Sequence, residues 1–459
     1  MESGSEEPAR RASRLAVGSW LFFDWAAQPF FTLVTTFVFA PYFAARVAAD
    51  PVEGQALWGY AAAAAGLAVA LLAPVLGAIA DAAGRRKPWI AAFSVLLVAG
   101  SFALWYAVPG AGDSVMIALV AFTVATIGAE FATVFTNAMM PDLVEDGRLG
   151  RLSGTGWGIG YVGGLVSLVI VLGFLAGSPE TGKTLFGLAP LFGLDPATGA
   201  GDRAAGPLSA LWYVVFVLPL FLFTPDGARR LRLGAAIREG LGSLRATVVG
   251  LRDHRNTARY LLANMIYTDG FAALVVFGGI YAAGTFGWSA MELGLFGILL
   301  TVTGTIGAIA GGRLDDRLGP KRVVLAALAG LAVASLGILS IDPSHVLFVV
   351  PVRPPAPGDG LFGSPGEIAY LVLGAFLGLV AGPLQAASRT LLVRVSPREH
   401  MTQFFGLYAL TGKVTSFVGP LAVGALTAAS GSQRIGISVL VLFFLAGGAV
   451  LLGVRPERS

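Results

Sequence analysis

Long apolar runs, separated by short polar connections, follow one another along nearly the whole chain. A helix needs about 20 apolar residues to cross the hydrocarbon core of a bilayer, and most of these runs reach that length. No strand-like alternation of apolar and polar residues competes with this pattern. The pattern therefore predicts an all-α membrane protein with twelve transmembrane helices. The predicted helices cover residues 17–45, 56–80, 89–108, 115–139, 154–176, 209–224, 258–284, 290–311, 323–341, 367–391, 402–428 and 434–454.

An internal repeat divides the twelve runs into two sets of six. The segment from Gly77 to Lys87, GAIADAAGRRK, recurs from Gly312 to Arg322 as GRLDDRLGPKR, each time after the second helix of its set. Asp81 thereby corresponds to Asp316. Such repeats are typical of transporters built from two similar halves. We therefore expect two pseudo-symmetric six-helix bundles. The first comprises residues 1–224, a linker covers 225–257, and the second comprises 258–459.

The linker has a helical pattern of its own. Apolar residues recur in it at spacings of three and four, and arginines spaced seven apart lie on a neighbouring face. This pattern predicts an amphipathic helix that lies on the inner membrane surface. A solvated connector helix is the alternative. The apolar positions are Leu233, Ile237, Leu241, Leu244, Val248 and Leu251, and the arginines are Arg238, Arg245 and Arg252.

Composition and charge agree with a membrane protein. Hydrophobic residues make up 56% of the chain and charged residues 13%, whereas soluble proteins carry about 25% charged residues. Lys and Arg concentrate in the connections on the side of the N-terminus, and cytoplasmic loops carry that excess. Both termini are therefore predicted to be cytoplasmic. The basic residues of the other side are Arg46, Lys183, Arg203, Arg353 and Arg434.

Two glycine-rich matches to nucleotide-binding motifs do not indicate such a site. Residues 177–184 fit the phosphate-loop pattern, but that loop works between a strand and a helix, and here it follows a membrane helix. Residues 158–163 match a dinucleotide fingerprint but lie within helix 5, where Gly156, Gly160 and Gly164 form a helix-packing stripe. We expect no cofactor, metal, nucleotide or nucleic acid. The expected partners are the lipid bilayer, a small-molecule solute and, as one alternative, protons.

The loop after helix 2, with its second copy after helix 8, resembles the signature loop of the major facilitator superfamily. Three further stretches resemble its vacuole-effluxer-like branch: FFDWAAQPFFTLVTTFVFAPYF in helix 1, NAMMPDL and GRLSGTGWGIGYVGG across helices 4 and 5, and FFGLYALTGKVTSFVGPLAVG in helix 11. The resemblance implies the major facilitator fold, transport by alternating access and a cavity lined by helices 1, 4, 7 and 10. It also implies a cytoplasmic gate. The implied gate residues are Gly77, Asp81, Gly84 and Arg85, with Asp316 and Arg322 as counterparts.

Polar residues inside the apolar runs are the candidates for substrate or proton binding. A charge at the centre of a membrane helix costs about 2.5–3.5 kcal/mol, so it usually lines a cavity or has a partner. Asp24, Glu130 or Asp269 could carry a proton; alternatively, Arg389 or Lys413 neutralises these acids in structural pairs. Lys413 could also bind a substrate carboxylate. The candidates are Asp24 and Gln28 on helix 1, Glu130 and Asn137 on helix 4, Asn264 and Asp269 on helix 7, Gln385 and Arg389 on helix 10, and Lys413 on helix 11.

These features favour a secondary transporter. The fungal member of the resembled family releases amino acids from the vacuole, so the resemblance implies efflux of amino acids or similar small solutes. The plasma membrane is expected in a prokaryote, and the vacuolar membrane is an alternative in a fungus. An uptake carrier for a sugar, drug or organic acid is an alternative function, and a non-transporting membrane sensor is another. A membrane enzyme is not expected, because the sequence contains no clustered catalytic set.

Overall fold

The structure is a computed structural model that describes residues 12–249, 255–288, 290–356 and 360–455. Within these residues, twelve helical segments are long and apolar enough to cross a membrane, which confirms the predicted number. We number them helix 1 to helix 12. They are Arg14–Val47, Glu53–Ala83, Lys87–Tyr106, Ser114–Asp142, Asp146–Leu175, Ala200–Phe223, Arg255–Phe286, Glu292–Leu318, Pro320–Leu339, Pro365–Val395, Arg398–Ser430 and Gln433–Leu452.

The helices form two bundles that repeat the same packing. In the first bundle, helix 1 packs against helices 5 and 6, and helix 3 packs against helices 4 and 6. In the second, helix 7 packs against helices 11 and 12, and helix 9 against helices 10 and 12. Between the bundles, helix 2 packs against helix 11 and helix 5 against helix 8. We call the side that carries the start of helix 1 and the end of helix 12 the terminal face.

The two signature turns on the terminal face have the same backbone geometry. Gly84, between helices 2 and 3, and Gly319, between helices 8 and 9, both have a φ of +84°. Glycine adopts a positive φ without the steric penalty that a Cβ atom brings. A Cβ atom at Gly84 would also lie 2.3 Å from the carbonyl oxygen of Ala228 in the linker. The repeat therefore preserves a turn that needs glycine in both copies.

Four helices differ clearly from the predictions, and one of them, helix 5, begins at Asp146 instead of 154. Helix 6 begins at Ala200 instead of 209, because Arg203 in its first turns is covered by Trp105, to whose carbonyl oxygen it donates a 3.1 Å hydrogen bond. Helix 8 continues beyond 311 to Leu318, because neighbouring helices provide partners for its terminal acids. Helix 11 is interrupted: it comprises the helices Met401–Lys413 and Val418–Ser430. Hydropathy detects neither covered charges nor a break in backbone hydrogen bonding.

The linker forms the helix Leu233–Val249, as predicted, while Leu251 and Arg252 lie outside the described residues. Its buried positions include Ala236 and Gly240, on the side that faces helix 2, and most of the predicted apolar face is exposed. On the other side of the protein, the connection between helices 9 and 10 contains a short antiparallel pair of strands, His345–Val346 and Val350–Pro351.

Candidate functional site

Arg389 of helix 10 crosses from the second bundle into the first. It is only 3% exposed. Its guanidinium donates hydrogen bonds to Ser153 Oγ at 2.6 Å, to Asn137 Oδ1 at 2.9 Å and to Asp24 Oδ2 at 3.2 Å. A buried charge is tolerated when it is paired and hydrogen-bonded in this way. The predicted residues Asp24, Asn137 and Arg389 therefore meet in one cluster that joins helices 1, 4 and 5 to helix 10.

Two tryptophans flank the Arg389 guanidinium. The Cζ atom of Arg389 lies 5.6 Å from the ring centre of Trp20 and 5.7 Å from that of Trp157. Cation–π attraction is substantial at such distances when water is excluded. Trp20 and Ser153 were not among the predicted site residues, because neither residue type is unusual in a membrane helix. Only their tertiary neighbours show their role.

A second ion pair spans the bundles near the middle of the membrane-spanning segments. Lys413 Nζ of helix 11 lies 2.7 Å from Glu130 Oε1 of helix 4. The two side chains are partly accessible, at 34% and 21%. Lys413 is the last residue of the first part of helix 11. The partial negative charge of a helix C-terminus stabilises a cation there, so the break in helix 11 favours a lysine at this position.

The uncharged candidates make hydrogen bonds or contacts of their own. Asn264 of helix 7 donates to Thr411 Oγ1 at 3.4 Å, two residues before Lys413. Gln385 of helix 10 donates to the Tyr161 hydroxyl of helix 5 at 2.7 Å, which is another contact between the bundles. Gln28 is half-buried beside helix 5, where a Cβ atom at Gly164 would lie 2.9 Å from its Cγ atom.

Asp269 of helix 7 has a different environment from Asp24. It is 3% exposed. In the described part of the chain its Oδ1 atom has no hydrogen-bond partner. It lies in the middle part of helix 7. The nearby second part of helix 11 packs closely here, since a Cβ atom at Gly419 would lie 2.4 Å from the Asp269 carbonyl oxygen.

On the terminal face, the two repeated aspartates bind corresponding helix ends. Asp81 accepts hydrogen bonds from the backbone N–H groups of Thr402 at 3.1 Å and Gln403 at 2.8 Å, at the start of helix 11. Asp316 accepts one from Arg151 at 3.1 Å, at the start of helix 5. A carboxylate at a helix N-terminus satisfies free N–H groups and interacts favourably with the helix dipole. Each bond joins one bundle to the other.

Glycines allow these helix pairs to approach closely, in the same way in both copies. An added Cβ atom at any of the four positions would lie within 2.6 Å of a backbone oxygen of the opposite bundle, so a larger residue would force the helices apart. The distances are 2.5 Å from Gly77 to Thr402 O, 2.3 Å from Gly406 to Ala73 O, 2.4 Å from Gly312 to Gly150 O, and 2.3 Å from Gly154 to Ala308 O.

Arg86 is the arginine that lies beside Asp81 and the start of helix 11, whereas the predicted gate residues Arg85 and Arg322 are exposed. Arg86 donates to Thr402 Oγ1 at 3.0 Å and to Asp142 Oδ2 at 2.5 Å, and it lies 3.8 Å from Asp81. Two adjacent arginines cannot be distinguished by motif position alone. The glycine turn at Gly84 decides which of them points back towards helix 11.

Further contacts between the bundles lie nearby. Arg398 pairs with Asp146, and the Arg151 side chain lies 3.5 Å from Asp316 Oδ2.

Asp315 of helix 8 was not among the predicted residues. It is 1% exposed and accepts a hydrogen bond from Thr390 of helix 10, within the second bundle. The first copy of the repeat has Ala80 at the position of Asp315. This difference between the two copies is a sequence feature that could have identified Asp315 as a candidate. Among the described residues, no group of three metal-ligating side chains could hold a metal ion.

The sequence is similar to those of known transporters. The sequence model of the family described as "Vacuole effluxer Atg22 like" matches residues 47–459. The MFS-type transporter YxiO of Bacillus subtilis is 24% identical over 447 residues, which cover 96% of this chain and 95% of that protein. Autophagy-related protein 22 of Cryptococcus neoformans is 28% identical over 319 residues. That match covers 67% of this chain and 53% of the fungal protein, about half of its length.

Solved structures show the same fold. The proton:xylose symporter XylE aligns with a TM-score of 0.66 and 13% identity, over 97% of this chain and 95% of the symporter. The transporter FucP, solved in the outward conformation, aligns with a TM-score of 0.69 and 15% identity, over 96% and 98% of the two chains. Both are major facilitator proteins, so the twelve helices have that arrangement.

Proposed function

Because the chain belongs to the vacuole effluxer Atg22-like family of major facilitator transporters, we propose that it exports or releases amino acids or similar small zwitterions by alternating access. It is a multi-pass integral membrane protein. We propose further that the terminal face is cytoplasmic, as the distribution of Lys and Arg suggests. In this proposal residues 1–224 and 258–459 move as two units around a central site.

The observation that carries this proposal is the ion pair between Glu130 and Lys413. Its charges are opposite, belong to different bundles and are partly accessible. An amino acid carries both complementary charges on neighbouring atoms. Its carboxylate would bind Lys413 and its ammonium group would bind Glu130, so the solute would replace the pair by two new ion pairs. Asn264 and Thr411, which form a hydrogen bond with each other, would supply uncharged hydrogen-bonding groups.

Passage of solute through the terminal face, in either direction, requires the contacts on that side to break. The hydrogen bonds of Asp81 and Asp316 to the opposite bundle, together with the Asp24–Arg389 pair, support a state in which this face is closed. These contacts join three different pairs of helices, so they can separate together only if the bundles move as units. This is the physical content of alternating access around a fixed site.

We propose Asp269 as the group that binds a proton during transport. Asp24 and Glu130 are each paired with a cation of the opposite bundle. An ionised carboxylate that is buried with an unpaired oxygen is costly, so Asp269 would be neutral here and would ionise when its environment opens. The candidate acids would then divide into two structural partners and one proton carrier.

The test is release of a mixed amino-acid pool from proteoliposomes, followed by mass spectrometry, with and without an imposed pH gradient. We expect selective release that exceeds release from empty vesicles and responds to the gradient. Lys413→Met should lose selectivity for zwitterions, whereas Lys183→Met, a substitution of an exposed lysine far from the site, should retain it. No release of amino acids above empty vesicles, combined with release of sugars or organic acids from vesicles loaded with those solutes, would refute the proposed substrate and favour the uptake-carrier alternative.

A further inference from the structure

The linker helix has four faces in a definite order. Consecutive residues turn by about 100° around an α-helix. The buried residues Ala236, Gly240 and Thr247 therefore lie on one side, which faces the protein. Next to them lie the exposed apolar residues Ile237 and Leu241, and Leu233 at the helix start extends this stripe. Their exposed fractions are 58% for Leu233, 40% for Ile237 and 47% for Leu241.

Two arginines border the apolar stripe on its far side. Arg238 and Arg245 are exposed and lie about 70° farther around the helix than Ile237 and Leu241. The remaining face carries small or polar residues, including Ala235 and Glu239. The order around the helix is therefore protein, apolar, basic and polar. A helix at the edge of a bilayer requires this order, with acyl chains beside the apolar stripe, phosphates beside the arginines and water beyond them.

The position of the helix in the fold fits that environment. A Cβ atom at Gly240 would lie 2.8 Å from the backbone of Ile79, one turn before helix 2 ends at Ala83. The linker helix thus packs against the side of helix 2, near the C-terminal end of that helix. On the same side, Ser243 Oγ donates to Gln403 Oε1 at 3.3 Å and lies 3.5 Å from His400 Nδ1. The helix therefore contacts helix 2 of one bundle and the start of helix 11 of the other.

We propose that the linker helix binds the anionic headgroup layer of the membrane through its Leu233–Ile237–Leu241 stripe and through Arg238 and Arg245, and that this binding favours the closed terminal face. Helices 2 and 11 must separate for that face to open, so the linker helix would have to leave one of them. Anionic lipid holds it against both. Basic residues are attracted to an anionic membrane surface, which makes the effect depend on lipid charge.

The orientation of the helix can be tested with single cysteines, because the chain contains none. A fluorophore on Leu241→Cys is compared with one on Ala235→Cys, both in nanodiscs of phosphatidylcholine with phosphatidylglycerol that carries brominated acyl chains. Quenching is expected at position 241 and not at position 235. Equal quenching at both positions, or none at either, would contradict the proposed orientation.

The effect on the terminal face needs a second measurement. Spin labels on Gly147→Cys and Arg317→Cys, exposed positions in opposite bundles, report the separation of the bundles. With phosphatidylglycerol present, Arg238→Gln/Arg245→Gln should raise the ratio of open to closed molecules roughly tenfold. The matched control Arg229→Gln/Arg232→Gln removes the same charge just before the helix and should have little effect.

Lipid composition completes this test. In phosphatidylcholine alone, the parent and both double variants should give the same distance distribution, because no anionic surface is present. An equal shift in the two double variants would show a general charge effect and would overturn the proposal. So would a distribution that does not respond to phosphatidylglycerol. Neither readout involves solute, so these results are independent of the proposed transport activity.

Discussion

Replacement of Asp81 by asparagine tests the terminal-face contact between helices 2 and 11. Each Asp81 carboxylate oxygen accepts one backbone N–H of helix 11, from Thr402 and Gln403. Asparagine has a single acceptor oxygen, so Asp81→Asn leaves one of these buried donors facing an NH₂ group. An unsatisfied buried donor costs about 1–3 kcal/mol. Because the bonds join different bundles, the closed state should lose this energy and the open state should not.

That free energy corresponds to roughly a 5- to 150-fold rise in the ratio of open to closed molecules. The assay is the distance distribution between spin labels on Gly147→Cys and Arg317→Cys. Asp142→Asn is the matched control, because Asp142 pairs with Arg86 of its own bundle and that pair need not break on opening. An unchanged distribution in Asp81→Asn, or an equal shift in Asp142→Asn, would refute the role of Asp81 in the gate.

Three further predictions concern the central site and the helix interface. Exchanging the charges in Glu130→Lys/Lys413→Glu should restore part of the transport that either single change abolishes, as measured by solute release. Asp269→Asn should keep solute exchange but lose its response to a pH gradient, measured by counterflow with and without the gradient. Gly154→Ala should destabilise the closed state by about 1–3 kcal/mol through overpacking, seen in spin-label distances, whereas Gly147→Ala should not.

The sequence was sufficient to predict the helices and their division into two sets, because both depend on local hydropathy and on a repeat. The repeat also placed Asp81 and Asp316 at equivalent positions. Their partners, Thr402 and Arg151, lie far away in the chain and could not be found from local pattern. Only packing of helix 2 against helix 11, and of helix 5 against helix 8, brings those donors to the carboxylates.

The polar candidates illustrate the same limit. Hydropathy identified Asp24, Glu130, Arg389 and Lys413 as costly residues, but it does not show which acid meets which base. The pairs depend on the rotation of each helix about its axis and on the break after Lys413. Asp315 was missed because it follows the predicted end of helix 8, where a charge usually indicates a loop.

The central claim is that transport requires the terminal face to open, and a reversible cross-link across that face tests it most directly. Asp146 and Arg398 are in contact, belong to different bundles and lie at the surface. In Asp146→Cys/Arg398→Cys the two new thiols can be joined by oxidation or a short cross-linker. We predict that release of solute falls to the level of empty vesicles after cross-linking and returns on reduction. Undiminished release from cross-linked protein would contradict the claim.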